Sequence, residues 1–345
     1  MRKLLAFTAL AIAANAFLGA NQAHAAERWT CNVFTGPKHF INKSLKTWGK
    51  EVPKVTNGDV KVNMLPASAA PPPKQLNSIV AGTFDCAFIF HAFTAKQAVG
   101  PHFGILPFLL AGNGEQGSVA YWRTWNKHFA GKKEFEKLGI KVLSQFMFPG
   151  VHFWTAKSKP INSMADMKSQ KMWALAGTSS KTMKVAGISH VSGPAVRMGE
   201  FTQTKVVQGL AGITRAGIVN YAGIQFPKFG TFTKKTIMAP SFQWMISKKK
   251  WESLSDKNKR AIEAISGEKL ARSIGKEADL FEDIAAAKLA KAGVKEIKAS
   301  AAFEAALLKA ANPQYAAWFK RVKTLGVDGQ KVVDEYSKIV SEQMM

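Results

Sequence analysis

A short turn rich in glycine and hydroxyl residues is the first place in this sequence where the residue types suit a small ligand. The turn, Ala176 to Ser180, directly follows the apolar run Met172 to Leu175. This order is typical of a strand that runs into a helix, whose first amide groups are unpaired and favour anions. The pattern predicts a site for a small polar ligand here. The alternative is an ordinary turn that binds nothing.

The stretch around this turn, residues 160–212, resembles a known family. It is similar to the "PI...DLKG-K-R" and "ALQ-GVVDG" elements of the DctP-type solute-binding proteins of TRAP (tripartite ATP-independent periplasmic) transporters. The resemblance covers essentially the whole chain after residue 25, including the "LPFL" element within residues 103–110. The counterparts in the central stretch are Pro160-Ile161, Ala165-Asp166-Met167-Lys168, Lys171-Met172-Trp173 and Val207-Gln208-Gly209-Leu210-Ala211-Gly212.

The positions that carry charge in this family differ here. The resemblance places Trp173 where the family usually has the arginine that clamps the substrate carboxylate, and His152 where a second arginine often stands. The aspartate of the family motif falls at Gly212. An indole group offers one hydrogen-bond donor and cannot replace a bidentate guanidinium group. Trp173 therefore changes the expected ligand.

Two hypotheses for the ligand follow. In the first, a carboxylate is held by a cation at a neighbouring position, for which the sequence offers Lys171, Arg197 and Arg215. In the second, a zwitterionic or weakly polar solute stacks on Trp173, as in aromatic cages for quaternary ammonium groups. A third interpretation makes Trp173 a packed core residue and leaves the cleft to other residues, because tryptophans are usually highly buried.

Other aromatic and polar side chains complete the predicted site. His152 is mostly neutral at pH 7 and would donate one hydrogen bond. His91 stands where the third predicted strand ends, although an isolated histidine is more often structural than a ligand contact. The predicted ligand-binding residues are Phe90, His91, His152, Trp154, Trp173, Arg197, Arg215 and Asn220.

The N-terminus has the pattern of an export signal. Residues 1–25 combine a charged start, an apolar centre and the small-residue site Ala23-His24-Ala25, so we predict a cleavable signal peptide and a periplasmic protein. The net charge of +25 is compatible with nucleic acid or an anionic membrane as partner. However, the basic residues are scattered and export separates the chain from nucleic acid, so a solvated basic surface is preferred.

Cysteine and histidine usage gives no sign of a metal site. The two cysteines, Cys31 and Cys86, lie in predicted strands of a chain addressed to an oxidising compartment. The resemblance implies that these strands are neighbours, so a disulfide and two buried thiols are both plausible. The seven histidines are dispersed, and we predict no metal and no cofactor.

The order of predicted elements indicates an α/β protein. A strand, a helix and a second strand occupy residues 29–65 and predict a parallel β-α-β unit. The resemblance implies a two-domain periplasmic binding protein fold with crossover strands near residues 150–156 and 238–246. A long helical segment after Ser255, continuing to about Gly293 with a tendency to break at Gly267 and Gly275, would span both domains. The predicted division is 1–25 signal peptide, 26–152 plus 241–278 domain I, and 153–240 plus 279–345 domain II.

Catalysis is the competing function class. An enzyme needs a titratable group or nucleophile beside its partner, and the sequence contains no G-x-S-x-G, H-E-x-x-H, C-x-x-C or P-loop motif. The resemblance implies a receptor that binds a small organic solute, carboxylate or zwitterion, between two domains. It would deliver the solute to the small and large TRAP membrane subunits for secondary active transport. The alternative is an exported enzyme that acts on a small organic acid in the same cleft.

Overall fold

The structure is a computed structural model that describes residues 26–110 and 112–344. The predicted signal peptide, residues 1–25, lies outside the described residues. Within the described part of the chain, no helix is both long and apolar enough to cross a membrane. The described chain folds around two mixed β-sheets with helices packed against them.

The first sheet contains five strands, in the order β2-β1-β3-β10-β4. Strand β1 pairs in parallel with β2 and with β3, so the predicted β-α-β unit is confirmed. Strand β10 returns from much later in the chain and lies antiparallel between β3 and β4. The strands are β1 Glu27–Asn32, β2 Val60–Met64, β3 Cys86–Phe90, β4 Ile140–Met147 and β10 Ser241–Ser247.

The second sheet contains six strands, in the order β11-β9-β5-β8-β6-β7. Strand β6 is flanked on both sides by parallel neighbours, whereas β5 runs antiparallel to β8 and β9. The strands are β5 His152–Thr155, β6 Met172–Leu175, β7 His190–Gly193, β8 Gly209–Ile213, β9 Phe229–Phe232 and β11 Lys295–Lys298.

Thirteen α-helices of the described residues cover these sheets. One starts at the side-chain cap expected from sequence: Ser255 accepts a hydrogen bond from the Asn258 amide. The helices are α1 Phe40–Val55, α2 Gln75–Val80, α3 Gly114–His128, α4 Met164–Lys168, α5 Thr178–Val185, α6 Met198–Gln203, α7 Arg215–Gly217, α8 Lys248–Glu252, α9 Asp256–Ala264, α10 Gly267–Lys291, α11 Ala301–Ala311, α12 Pro313–Lys323 and α13 Gly329–Met344.

Two segments connect the sheets and run side by side. One joins β4 to β5, and the other joins β9 to β10. The Phe148 amide donates to the Pro240 carbonyl at 2.8 Å, and the Val151 amide donates to the Met238 carbonyl at 3.0 Å. The crossing lies in these loops, while β5 and β10 each belong to a single sheet.

The predicted long helix is present but divided in two. Gly267 begins α10 with φ +55, a left-handed conformation that glycine adopts without strain, so α9 ends before it. Gly275 lies inside α10, where a Cβ atom would come within 2.5 Å of the Gly114 carbonyl oxygen. Helix α10 packs against α3 and β4 near the first sheet and against α7 near the second. It therefore contacts structures built on both sheets.

The last helix and the disulfide both hold elements of the first sheet together. Cys31 and Cys86 face each other in register on β1 and β3 and form a disulfide, with Cα atoms 4.5 Å apart. The last helix, α13, packs against α3. Tyr336 of α13 lies in one buried cluster with Tyr121 of α3 and Met147 of β4. The domain bounds given above assign this helix to domain II, whereas its packing joins it to the first sheet.

Candidate functional site

A small cavity lies between the elements of the two sheets and is lined mainly by aromatic rings. Its volume is about 70 Å³. The first sheet and its helices contribute one wall, and the ends of β6 and β8 with the turns after them contribute the other. The aromatic lining residues are Phe34, His39, Phe40, Phe88, Phe90, Phe93, Phe148, Tyr221 and Phe242.

Strand pairing assembles the aromatic wall. Phe88 and Phe90 are two residues apart on β3, so they point to the same face of the sheet. Phe242 stands opposite Phe90 in the register of β10, and its ring centroid lies 4.7 Å from that of Phe88 and 5.2 Å from that of Phe90. Phe148, just beyond β4, lies 4.3 Å from Phe242. The wall is thus a continuous apolar surface suited to a flat ring.

His39 places a neutral imidazole group in this lining. Its Nδ1 atom accepts a hydrogen bond from the Ile41 amide at 3.3 Å, which caps helix α1. Burial lowers the pKa of His39 to about 4. Because Nδ1 is the acceptor in a neutral ring, Nε2 carries the proton. No hydrogen bond joins Nε2 to another described residue, and His39 lines the cavity.

Tyr221 provides a second available donor from the opposite side. It lies in the π-helical turn Ile218–Ala222 that follows α7. Its ring stacks on His39 with centroids 5.8 Å apart and an angle of 14°. Burial raises the pKa of Tyr221, so its hydroxyl group stays protonated. No hydrogen bond joins this hydroxyl to another described residue, and Tyr221 lines the cavity.

Glu282 of helix α10 is the acidic residue of the cavity lining. Its Oε2 atom accepts from the Arg215 amide at 3.0 Å, and Oε1 accepts from the Ala216 amide at 2.8 Å. The Arg215 guanidinium group lies 3.9 Å away. Burial raises the pKa of Glu282, and these hydrogen bonds oppose that effect. Among the described residues that line the cavity, none is Lys or Arg.

Of the eight residues predicted to bind ligand, Phe90 lines the cavity. His91 is fully buried and both of its ring nitrogens are engaged. The Tyr121 hydroxyl donates to the Pro101 carbonyl at 2.7 Å, so His91 Nε2 donates to Tyr121 at 3.2 Å. His91 Nδ1 then accepts from the Ser241 hydroxyl at 2.9 Å. This network packs β3 against α3 and β10, away from the cavity lining.

Three of the residues predicted to bind ligand, Trp154, Trp173 and His152, pack against neighbouring side chains and strands of the second sheet. Trp154 is fully buried, and its Nε1 atom donates to the Ile213 carbonyl at 3.0 Å. Trp173 is fully buried on β6, between β7 and β8. His152 packs against Phe232 with ring centroids 3.9 Å apart. The arrangement matches the interpretation of Trp173 as a packed core residue.

The predicted polar residues also lie outside the cavity lining. Arg197 is exposed and paired with Glu200 at 2.7 Å. The Arg215 guanidinium group binds Glu296 at 2.7 and 2.8 Å and covers the Phe232 ring. Asn220 is exposed. Each arginine side chain is therefore engaged with a carboxylate of the protein itself.

The backbone conformation and close packing at Gly212 leave no room for the aspartate of the family motif. Its φ of +92 lies in the left-handed region, and a Cβ atom would come within 2.7 Å of the Ser179 Cβ atom. Ser179 belongs to α5, the helix that begins at the predicted turn. Strand β8 therefore approaches α5 too closely to carry a side chain here.

His39, Tyr221 and Glu282 were not predicted from the sequence. One feature of the sequence could have indicated His39. It directly precedes a segment with helical spacing, in the position of a residue that caps a helix. The two others lie on segments whose contacts depend on the packing of α10 against α7. The sequence gives no local pattern for such a contact.

A family model for bacterial extracellular solute-binding proteins, family 7, named DctP, matches residues 32–321 of this chain. The chain belongs to the DctP family. A curated relative in sequence is the outer membrane transporter protein TsaT of Comamonas testosteroni. The two are 34% identical over 307 residues, which cover 88% of this chain and 89% of the relative.

Solved structures of TRAP solute-binding proteins share the fold. A protein of Bordetella bronchiseptica with bound (R)- and (S)-mandelate has a TM-score of 0.84 at 22% identity, covering 92% of this chain and 99% of that one. A marine metagenome protein specific for aromatic acid ligands, with 3-hydroxybenzoate, has a TM-score of 0.81 at 23% identity and the same coverage. A Bordetella pertussis receptor that binds pyroglutamic acid has a TM-score of 0.77 at 17% identity, covering 90% and 99%. These similarities confirm the predicted two-domain α/β fold of the DctP family.

Proposed function

We propose that this protein is a periplasmic receptor for a small organic acid that carries an aromatic ring. The observation that supports this proposal is the cavity between the two sheets, which combines a wall of phenylalanine rings with two unpaired neutral donors, His39 and Tyr221. The receptor would bind the acid without changing it and deliver it to the TRAP membrane subunits. A cleavable signal peptide at residues 1–25 would direct the chain to the periplasm.

The aromatic wall favours a ring over an aliphatic dicarboxylate. Offset or edge-to-face contacts between rings contribute about 0.5–1.5 kcal/mol each beyond the burial of apolar area. The wall offers such contacts from Phe88, Phe90, Phe148 and Phe242. Mandelate and 3-hydroxybenzoate, which occupy two of the solved relatives, both carry a ring and a carboxylate.

We propose that neutral donors, and no arginine, bind the acid group. Arg197 and Arg215 are engaged with Glu200 and Glu296, and no cationic side chain belongs to the described lining. No hydrogen bond joins the Nε2–H group of His39 or the hydroxyl of Tyr221 to another described residue, and both residues line the cavity. A hydrogen bond to a charged acceptor contributes about 1.5–3 kcal/mol, so two such bonds suffice to orient a carboxylate.

Binding explains the cavity better than catalysis in the same cleft. The described lining contains no Ser or Cys, and Thr35 and Thr214 accept hydrogen bonds that hold neighbouring backbone and side chains. His39 is neutral and occupied at Nδ1, and Glu282 already accepts two amide hydrogen bonds. The members of the family and the solved relatives are binding proteins.

Ligand entry requires the two walls to separate. The cavity volume of about 70 Å³ is roughly half that of an engineered cavity of about 150 Å³ that binds benzene. The proposed domains, joined by the crossing segments, would open to admit the ligand and close over it. Closure then depends on the difference in ligand affinity between the two states.

A binding panel tests the proposed function. Purified protein without residues 1–25 is titrated calorimetrically with benzoate, 3-hydroxybenzoate, mandelate, pyroglutamate and succinate. We expect saturable binding of at least one aromatic acid, with each bound compound recovered unchanged. Exclusive binding of the ring-free succinate, or conversion of a bound acid, would contradict the proposal.

Two variants test the donors. Tyr221→Phe removes the hydroxyl and keeps the ring, whereas His39→Asn keeps a side chain that caps a helix and removes the Nε2–H group. We expect each variant to weaken binding of the best aromatic acid by about tenfold or more. Tyr315→Phe is the matched control, because the Tyr315 hydroxyl binds the Pro107 carbonyl outside the cavity lining. Equal affinities for all three variants would exclude the two donors as the acid-binding groups.

A further inference from the structure

A second concave surface lies between the segment Gly100–Ile105, helix α5 and helix α12. Its volume is about 340 Å³, and it shares no lining residue with the aromatic cavity. We call it the basic groove. Its lining residues are His102, Ile105, Leu106, Thr178, Lys181, Lys184, Val185, Pro313, Gln314, Ala317, Trp318 and Arg321.

The basic groove carries positive charge that the protein does not neutralise. None of its three elements contains an Asp or Glu residue. Lys181, Lys184 and Arg321 form no ion pair with the described acidic residues, although the chain has 23 acidic residues in all. The Arg321 guanidinium group donates instead to the Ala95 carbonyl at 2.5 Å.

These cations are close enough to affect one another. Arg321 lowers the pKa of Lys181, in addition to the larger effect of partial burial. Burial, Arg321 and Lys181 also lower the pKa of His102, which stays neutral and donates through Nε2 to the His91 carbonyl at 2.9 Å. The mutual repulsion is relieved if an anion binds between Lys181 and Arg321.

The floor of the basic groove is apolar. Ile105, Leu106 and Trp318 are buried beneath it, and the Trp318 indole donates to the Val99 carbonyl at 3.0 Å, which fixes the ring. At the rim, Val185 is 55% exposed. The volume falls within the range of about 300–1,000 Å³ that is typical of small-molecule sites. An apolar floor beside cations suits a molecule with an apolar body and an anionic group.

We propose that the basic groove is a second binding site, for a small organic anion with an apolar body. Lys181 and Arg321 bind the anionic group, and Trp318 with Leu106 contacts the apolar body. Helix α5 follows strand β6 of the second sheet, whereas Gly100–Ile105 adjoins the first. An anion in the groove therefore contacts elements from both sides of the molecule.

An aromatic sulfonate, 8-anilinonaphthalene-1-sulfonate, is a suitable probe because it combines both chemical features and fluoresces when bound. The test compares its affinity for the wild-type protein with that for the double variant Lys181→Gln, Arg321→Gln. We expect a loss of about tenfold or more, because two charge-assisted contacts are removed. Wild-type affinity in this double variant would overturn the proposal, since binding would then lie elsewhere, including the aromatic cavity.

Two further variants separate the groove from general electrostatics and from misfolding. The control Lys168→Gln, Lys288→Gln removes the same charge at exposed positions outside the groove lining, and we expect unchanged affinity. The swap Lys181→Arg, Arg321→Lys keeps both charges and should bind the probe more tightly than Lys181→Gln, Arg321→Gln does. An equal loss in the control variant would assign the effect to net charge and refute the site.

Discussion

Asp279 and Glu282 lie one turn apart on helix α10, and each accepts hydrogen bonds from the start of a different helix. Asp279 binds the first two amide groups of α3 at 2.6 and 2.9 Å, and Glu282 binds the first two amide groups of α7 at 3.0 and 2.8 Å. Amide groups at a helix start lack partners within the helix and favour a carboxylate. The long helix thus holds one element beside each sheet.

These hydrogen bonds predict that converting either carboxylate to an amide lowers the free energy of unfolding. In Asp279→Asn and Glu282→Gln, one acceptor oxygen is replaced by an NH₂ group that faces an amide donor. We expect the free energy of unfolding to fall by about 1–3 kcal/mol in each variant. Urea unfolding followed by circular dichroism measures the change. Asp283→Asn is the control, because Asp283 is exposed on the same helix and should change stability by less than about 0.5 kcal/mol.

Removing the disulfide should destabilise the protein strongly. Cys31 and Cys86 are separated by 55 residues, so the cross-link restricts a large loop of the unfolded chain. The loop-entropy relationship gives about 4 kcal/mol for a loop of this length. We expect the variant Cys31→Ala, Cys86→Ala to unfold at clearly lower urea concentration, and reduction of the wild-type protein to have the same effect. Equal stability of the oxidised and reduced proteins would contradict this prediction.

Local patterns predicted individual elements of the fold, and the family resemblance implied the two-domain arrangement. The alternation of strand and helix in residues 29–65 correctly predicted parallel pairing, and Ser255 correctly marked a helix start. Gly267 divides the long helix through its positive φ. In contrast, Gly275 lies inside α10, where close packing against α3 leaves no room for a side chain.

The candidate site was less predictable because it is assembled from distant parts of the chain. Phe34, Phe90, Phe148 and Phe242 come together through the order of strands in the first sheet, which no local pattern encodes. The resemblance places Trp173 at the family's arginine position, which predicted a ligand contact there. That residue lies on a strand with neighbours on both sides, where a large side chain is buried in the packing.

Substituting Trp173 tests whether it binds ligand or packs the core. Because Trp173 is fully buried, we expect Trp173→Ala to lower the free energy of unfolding by about 3–5 kcal/mol. The milder Trp173→Phe should fold and bind the best aromatic acid with nearly unchanged affinity. In contrast, Phe90→Ala removes part of the cavity wall and should weaken binding. If Trp173→Phe abolishes binding and Phe90→Ala does not, the ligand stacks on Trp173 as in the second sequence-based hypothesis.

Buried histidines make stability depend on pH. Burial lowers the pKa of His39 to about 4 and those of His91 and His102 to about 3, whereas the unfolded chain titrates near 6.5. Between these values the unfolded state binds more protons than the folded state. The free energy of unfolding therefore falls as the pH drops below about 6.5, by up to about 1.4 kcal/mol per pH unit for each histidine.

Urea unfolding at intervals from pH 7 to pH 4.5 measures this dependence. Replacing one buried histidine with a neutral residue should reduce the slope by up to one proton. His102→Gln is suitable, because its amide group offers a donor in place of the Nε2–H group that binds the His91 carbonyl. A wild-type slope in His102→Gln would show that this histidine does not resist protonation in the folded protein.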